Sequence, residues 1–159
     1  MKDVDGIVRR SVLDRLLQTG DPEPRTWQES VRMAKIAVAR DVEWLLNTRC
    51  IATPAPESLT ELRDSVYHYG LSDITSFSAD SAAARRELLR TVTDTVQRFE
   101  PRLFNVRVRE VAKMTEGKRE VRFVVEGMLR LHPQPEPVAF DTVLEPTSGR
   151  FSLSKDAAG

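Results

Sequence analysis

The chain has 159 residues, 40% of them hydrophobic and 30% charged, with 24 basic side chains against 24 acidic. That length suits one domain that buries roughly 70% of the surface its unfolded chain exposes, so a core is expected without staples. Zero net charge gives no overall field toward nucleic acid or an anionic membrane, the lone Cys50 excludes an intrachain disulfide and a cysteine zinc site, and nothing approaches the ~20 apolar residues of a membrane span.

The N-terminal stretch MKDVDGIVRRSVLDRLL carries scattered charges and no apolar run of seven, so it does not read as a signal peptide. With one thiol, the expected setting is the reducing cytoplasm. Short basic clusters at Arg9–Arg10, Arg85–Arg86 and Arg107/Arg109 each have acids nearby. Residues 7–17 form a short amphipathic piece, with Ile7, Val8, Val12, Leu13, Leu16 and Leu17 as its stripe. Isolated helices under ~12–15 residues rarely hold in water, so this arm is expected to dock on something. Gly20, Pro22 and Pro24 then break any helix, and QTGDPEPR reads as a linker.

Thr26 followed by Glu29 fits a capping box, and Val31, Ala34, Val38, Val42 and Leu45 recur at spacings of three and four. The pattern predicts a helix over 27–48, stopping before Pro54 and Pro56, with Leu46 and Trp44 widening the stripe and Arg40 and Asp41 largely off it. Residues 58–68 read as a short helix ended by Gly70. A second long helix is expected from near Asp80, through Leu88 or Leu89, Val92, Val96 and Phe99, ending where Pro101 removes a donor.

There the period switches from 3.6 to 2. Val106 and Val108 alternate with Arg107 and Arg109, TEGKR at 115–119 is a turn, and Val121, Phe123, Val125, Leu129 and Leu131 mark a long strand with Gly127 at a candidate bulge. After the Pro-rich HPQPEP loop come Val138, Phe140, Thr142 and Leu144, then a last strand around Phe151 and Leu153. Helices first and an antiparallel meander afterwards imply an α+β fold: two long helices and a short one on a C-terminal sheet of about four strands. Residues 1–25 are an arm and linker, 26–154 one α+β domain, and 155–159 a frayed tail.

The chemistry is mostly negative. All seven glycines are isolated, so there is no phosphate loop, and neither a G-x-S-x-G elbow nor an H-E-x-x-H pair occurs. His68 and His132 stand far apart, His68 between two tyrosines as a packing or surface residue. Glycoside hydrolysis needs only two carboxylates, but with 24 acids any pair can be nominated, and Trp44, Phe99, Phe123 and Phe140 lie on core stripes rather than on a sugar platform. No catalytic residue, metal site or cofactor is expected. The most informative segment is Phe99-Glu100-Pro101-Arg102. Glu100 falls at a helix C-terminus, where the macrodipole disfavours an anion by ~0.3–1 kcal/mol. Either Glu100 pairs locally with Arg102 or is simply solvated, or both charges point at a partner across a junction that Pro101 fixes.

RDVEWLLNTR at 40–49, SVYHYGLSD at 65–73, FEPRL at 99–103 and VAFDTVLEPTSGRFSL at 138–153 stand in an order and spacing that resemble the TssE family. These are the baseplate subunits of bacterial type VI secretion systems, related to the contractile-phage baseplate wedge subunit and more distantly to the anti-adaptor IraD. The resemblance covers roughly residues 10–153, and Ser72 departs from it where the family usually shows Pro. It implies structural work rather than turnover, with Glu100, Pro101 and Arg102 engaging the helical wedge core of TssF and TssG. It also implies contact with the sheath proteins TssB and TssC, with TssK as a further partner, in a sixfold cytoplasmic assembly docked at the inner face of the membrane complex without inserting in it. Sheath assembly would start by strand addition, since an exposed sheet edge is a template for another strand, and strands within 119–131 and 138–153 are expected to supply that edge. The rival readings are a peptidoglycan glycosidase of the lysozyme-like kind and an IraD-like regulator.

Overall fold

A computed structural model describes residues 7–17, 23–51, 53, 56, 58–72, 74, 81–111 and 120–153. The turn expected at 115–119, residues 18–22 of the linker and the tail at 155–159 lie outside the described residues.

Helix α1 (Val12–Leu16) is capped by Ser11, whose Oγ accepts from the Asp14 N–H. Helix α2 (Trp27–Asn47) opens with the expected capping box: Thr26 Oγ1 accepts from the Glu29 N–H at 3.2 Å, and Glu29 Oε2 accepts from the Thr26 N–H at 3.3 Å. Its inner face buries Val31, Val38, Val42, Leu45 and Leu46. Trp44 departs from the expectation. It is 49% exposed, on the flank of the stripe, with the Arg40 guanidinium over its ring.

The segment expected as one short helix is two 3₁₀ turns, Thr60–Asp64 and Val66–His68. Ser65 separates them with an extended backbone, its Oγ donating to the Leu62 carbonyl and accepting from the Tyr67 N–H. Gly70, at φ +109°, does not end a helix. It lets the chain lie against α2's exit, where Leu71 N–H bonds the Thr48 carbonyl and Cys50 N–H bonds the Leu71 carbonyl, both at 2.9 Å. A Cβ at Gly70 would stand 2.4 Å from Thr48 O.

Helix α3 (Ala82–Phe99) is capped by Ser81 and stops before Pro101. The rest is a four-stranded antiparallel meander, β1 (Leu103–Glu110), β2 (Val121–Leu129), β3 (Glu136–Glu145) and β4 (Arg150–Leu153), in the order β1-β2-β3-β4. Val121, Phe123, Val125, Val138, Phe140, Leu144, Phe151 and Leu153 alternate onto one face. That face packs with the buried stripes of α2 and α3 in one core, α2 against β3 and β4 and α3 against β1. Two long helices on a four-stranded antiparallel sheet make the α+β fold expected from the sequence. The irregularity lies across from Gly127 rather than at it: the β1 register shifts between Phe104 and Arg107, with Asn105 at φ 53°. A Cβ at Gly127 would press on Phe104 O at 3.3 Å.

The topology corrects the expected sheet edge. Strands β2 and β3 are interior, each paired on both sides, so 119–131 and 138–145 offer no edge. The edges are β1 and the four-residue β4. No described helix is long and apolar enough to cross a membrane.

Candidate partner-binding site

The helix-to-strand junction after α3 turns Glu100 inward. Its N–H still donates to Val96 O at 2.9 Å, and its carbonyl accepts from the Leu103 N–H at 3.0 Å, so the backbone reverses within Pro101–Arg102. Arg102 then folds back on Glu100: Nε donates to Oε1 at 2.7 Å, Nη2 to Oε2 at 2.5 Å, and the Arg102 N–H to Oε1 at 3.2 Å. The Glu100 side chain is 6% exposed and that of Arg102 38%. This fork answers the dipole penalty, because charge-assisted bonds of ~1.5–3 kcal/mol each outweigh it. Glu100 and Arg102 pair with each other, and the pair is not a solvated one.

The pair continues onto α2. Arg102 Nη2 also donates to Asp41 Oδ2 at 2.7 Å, and Asp41 Oδ1 accepts from Arg40 Nε and Nη2 at 3.0 and 2.9 Å. Arg40 Nη1 binds Asp14 of the arm, and Asp14 Oδ2 accepts from Ser11 Oγ at 2.6 Å. Three acids and two arginines alternate in one chain that ties the α3–β1 junction to α2 and α2 to the arm. The hydrogen bonds that Arg102 donates to Glu100 raise its already high pKa further, against burial, with Asp41 adding to the effect. At Asp14, burial pushes the carboxyl up, but the bonds from Arg40 and Ser11 together hold it below its ordinary value.

Tyr69 borders the network, half-buried and edge-on to Phe99 with ring centroids 5.5 Å apart. Burial pushes its phenol up, helped by the charges of Asp41 and Glu100 and opposed by Arg102. So RDVEW, YHYG and FEPR, distant in sequence, meet at one place. Asp41, expected largely off the stripe, had a legible signal: it lies three residues after Val38 and four before Leu45, half-buried at the stripe's margin, where an acid needs a partner. Asp14 had none.

Beside the network runs a groove of about 850 Å³ between the arm, the first half of α2 and the end of β2. Met33, Ala37, Leu129 and Leu131 line it together with Arg102. Arg102 Nη1 has no hydrogen-bond partner among the described residues. The arm lies over this side in an unusual sense. Its polar atoms face the domain, through Asp14 to Arg40 and the Val8 N–H to Ser30 Oγ at 3.2 Å. The apolar residues of its helical end face outward, with Val12 69%, Leu16 74% and Leu17 58% exposed, while Ile7 and Val8 are half-buried.

The arrangement is poorly suited to acid–base chemistry, since Glu100, Asp41 and Asp14 are all committed to guanidinium groups. Among the described residues no group of three or more His, Cys, Asp or Glu side chains could hold a metal ion. His68 sits edge-on to Tyr67, away from any such set. Cys50 is a half-buried thiol beside the Leu71 bridge.

A family model described as baseplate wedge protein gp25 matches residues 32–134, more than half of the chain. The match takes in Asp41, Tyr69 and Glu100–Arg102 and ends in the loop after β2, leaving out the arm, β3 and β4. No curated protein and no solved structure matches the chain.

Proposed function

The chain belongs to the baseplate wedge protein gp25 family, and from that premise we propose that it is the TssE subunit of a type VI secretion baseplate. Wedge components of this family are parts of contractile machinery that assemble with other baseplate proteins. The finer reading is that this subunit joins the TssF/TssG core to the sheath proteins TssB and TssC and starts sheath assembly by strand addition, with no catalytic turnover, at the cytoplasmic face of the membrane complex.

The observation that carries the reading is the place of Arg102 inside the family-matched region. It is anchored by two acids, so its orientation is fixed, yet it lines the groove and keeps Nη1 free of partners among the described residues. A preorganised guanidinium beside an apolar groove suits a protein partner that brings an acidic or carbonyl oxygen there. Glu100 and Pro101 act on this contact from behind, Glu100 by holding the fork and Pro101 by fixing the junction.

The test is affinity capture of the tagged full chain from cells that make the machine. Wild type is expected to recover TssF, TssG and sheath proteins. Glu100→Ala/Arg102→Ala together should lose the wedge partners while melting near wild type, because removing both members of a buried pair strands neither and Asp41 keeps Arg40. Recovery of no baseplate partner by wild type overturns the reading. Lysis of cell-wall substrate by purified protein would overturn its non-enzymatic part.

A further inference from the structure

The two sheet edges differ in a way that bears on strand addition. In an antiparallel ladder, alternate residues point both N–H and C=O toward the same neighbour. On β4, Val143 pairs with Ser152 and Glu145 with Arg150. The backbone groups of Phe151 point away from β3 and are occupied: Asn47 Oδ1 accepts from the Phe151 N–H at 2.9 Å and Asn47 Nδ2 donates to its carbonyl at 2.8 Å. Arg49 Nη2 takes the Gly149 carbonyl at 2.7 Å. The end of α2 thus covers this edge with side chains that imitate a pairing strand.

On β1 the Val111 N–H donates inward to Arg122 O at 2.9 Å, so Arg109 and Arg107 also face β2 while Val108 and Glu110 face away. Upstream, Gln97 Nε2 closes the edge at the Val106 carbonyl. Among the described residues nothing bonds the backbone groups of Val108 and Glu110. Arg107 is exposed on the outer face, opposite Glu126 and within its field but without a hydrogen-bond partner among the described residues, because the Glu126 carboxylate is bonded to its neighbour Arg109. Val108, half-buried, borders the core on the other face.

We infer that strand addition occurs on β1 at residues 107–111, that Asn47 and Arg49 exclude it from β4, and that the incoming segment is an extended strand of a partner protein with an apolar residue against Val108 and an acidic one against Arg107. The inference rests on the strand-addition reading above and names the edge it leaves open. Glycine and β-branched spacing do not decide this; the occupied amide groups of Phe151 do.

The test separates the edge from the reading. The full chain is co-produced with the wedge and sheath proteins, as wild type, Glu110→Pro and Glu110→Ala. Both variants lose the Glu110 carboxylate that pairs with Arg85 Nε at 2.8 Å; beyond Glu110→Ala, proline removes an outward N–H, which an edge strand tolerates. Wild type and Glu110→Ala should recover both sets, and Glu110→Pro should keep the wedge proteins and lose sheath on the order of tenfold. Sheath recovery undiminished in Glu110→Pro overturns the edge and leaves the reading intact, whereas wild type recovering neither set overturns both. Amide exchange on the isolated wild-type chain guards against a misfolded variant: Phe151 should exchange at least about tenfold more slowly than Val108 and Glu110. Equal rates would remove the seal and the inference with it. Dimers of the isolated wild type that Glu110→Pro abolishes would seat a second copy on β1 and overturn the partner strand.

Discussion

Helix α2 is held to the rest of the chain at two places by different chemistry. At its C-terminal end the ties are neutral or backbone-borne: Asn47 to both amide groups of Phe151, Thr48 to Leu71, and Gly70 pressed against the Thr48 carbonyl. Midway along, the tie is ionic, from Arg40 and Asp41 through Arg102 to Glu100 and outward to Asp14. The first tie is closed, each partner satisfying the other. The second is graded, running from a buried Glu100 through a partly exposed Arg102 to an arm that buries no residue of α1. A closed tie leaves no polar group unspent. A graded one is spent at its inner end and keeps its outer end within reach of solvent.

Charge reversal at the inner end should break this contrast most. If both charges pointed at a partner, Arg102→Glu would cost a contact and spare the fold. The structure predicts otherwise: the change strands Glu100, leaves Asp41 with Arg40 alone, and adds a third carboxylate beside them. Loss of one member of a buried pair costs about 3–5 kcal/mol, which puts the thermal midpoint down by about 10 °C or more. Melting within a degree or two of wild type would return Glu100 to solvent. Gly70→Ala attacks the neutral tie through the backbone, since its φ is left-handed and its Cβ would overlap Thr48 O. A loss of about 2–4 kcal/mol is expected by denaturant titration. Asn47→Ala should cost about 1–2 kcal/mol, because two modest bonds go and water reaches the Phe151 groups. Its sharper consequence is an opened β4 edge, read as concentration-dependent association by light scattering.

The local part of this fold was legible. Thr26 and Glu29 cap each other, the α2 stripe runs as spaced, and Pro101 divides a helical period from a strand period. The strands at 121–129 and 136–145 appear where alternation put them. What was not legible depends on pairing across the chain. Alternation in Phe123 or Phe140 says which face is buried but not which strand lies outside, so the expected edge took in the interior β2 and β3 along with the true edge β4, and missed β1. Asn47 reads as an ordinary helix-end residue until Phe151 is beside it, 104 residues away. The arm's stripe was visible, but a stripe does not state which way it faces. One ion pair from Asp14 turns it outward. At Glu100 the sequence posed the question, an anion at the wrong helix end, and Arg102 and Asp41 together supply the answer.

The smallest effect lies at the outermost link and separates the two ties by pH. Asp14 is held below its ordinary value of 3.8, so it binds its proton less readily in the folded chain than in the unfolded one. Such a group lends stability above its unfolded pKa and loses it as pH falls through the folded one. The arm should therefore stay latched at neutral pH and release only below about pH 4, while the Asn47 tie is unmoved. Partial exposure and solvent screening keep the latch at about 0.2–1 kcal/mol, too little to shift global melting. The local readout is Trp44, whose ring lies 5.0 Å from the Arg40 guanidinium that Asp14 holds. In a Trp27→Phe background, Trp44 fluorescence should change with acid in wild type and stay flat over the same range in Asp14→Asn. If Asp14→Asn titrates like wild type, the arm is held by the Val8–Ser30 bond instead, and the outward set of Leu16 and Leu17 owes nothing to charge.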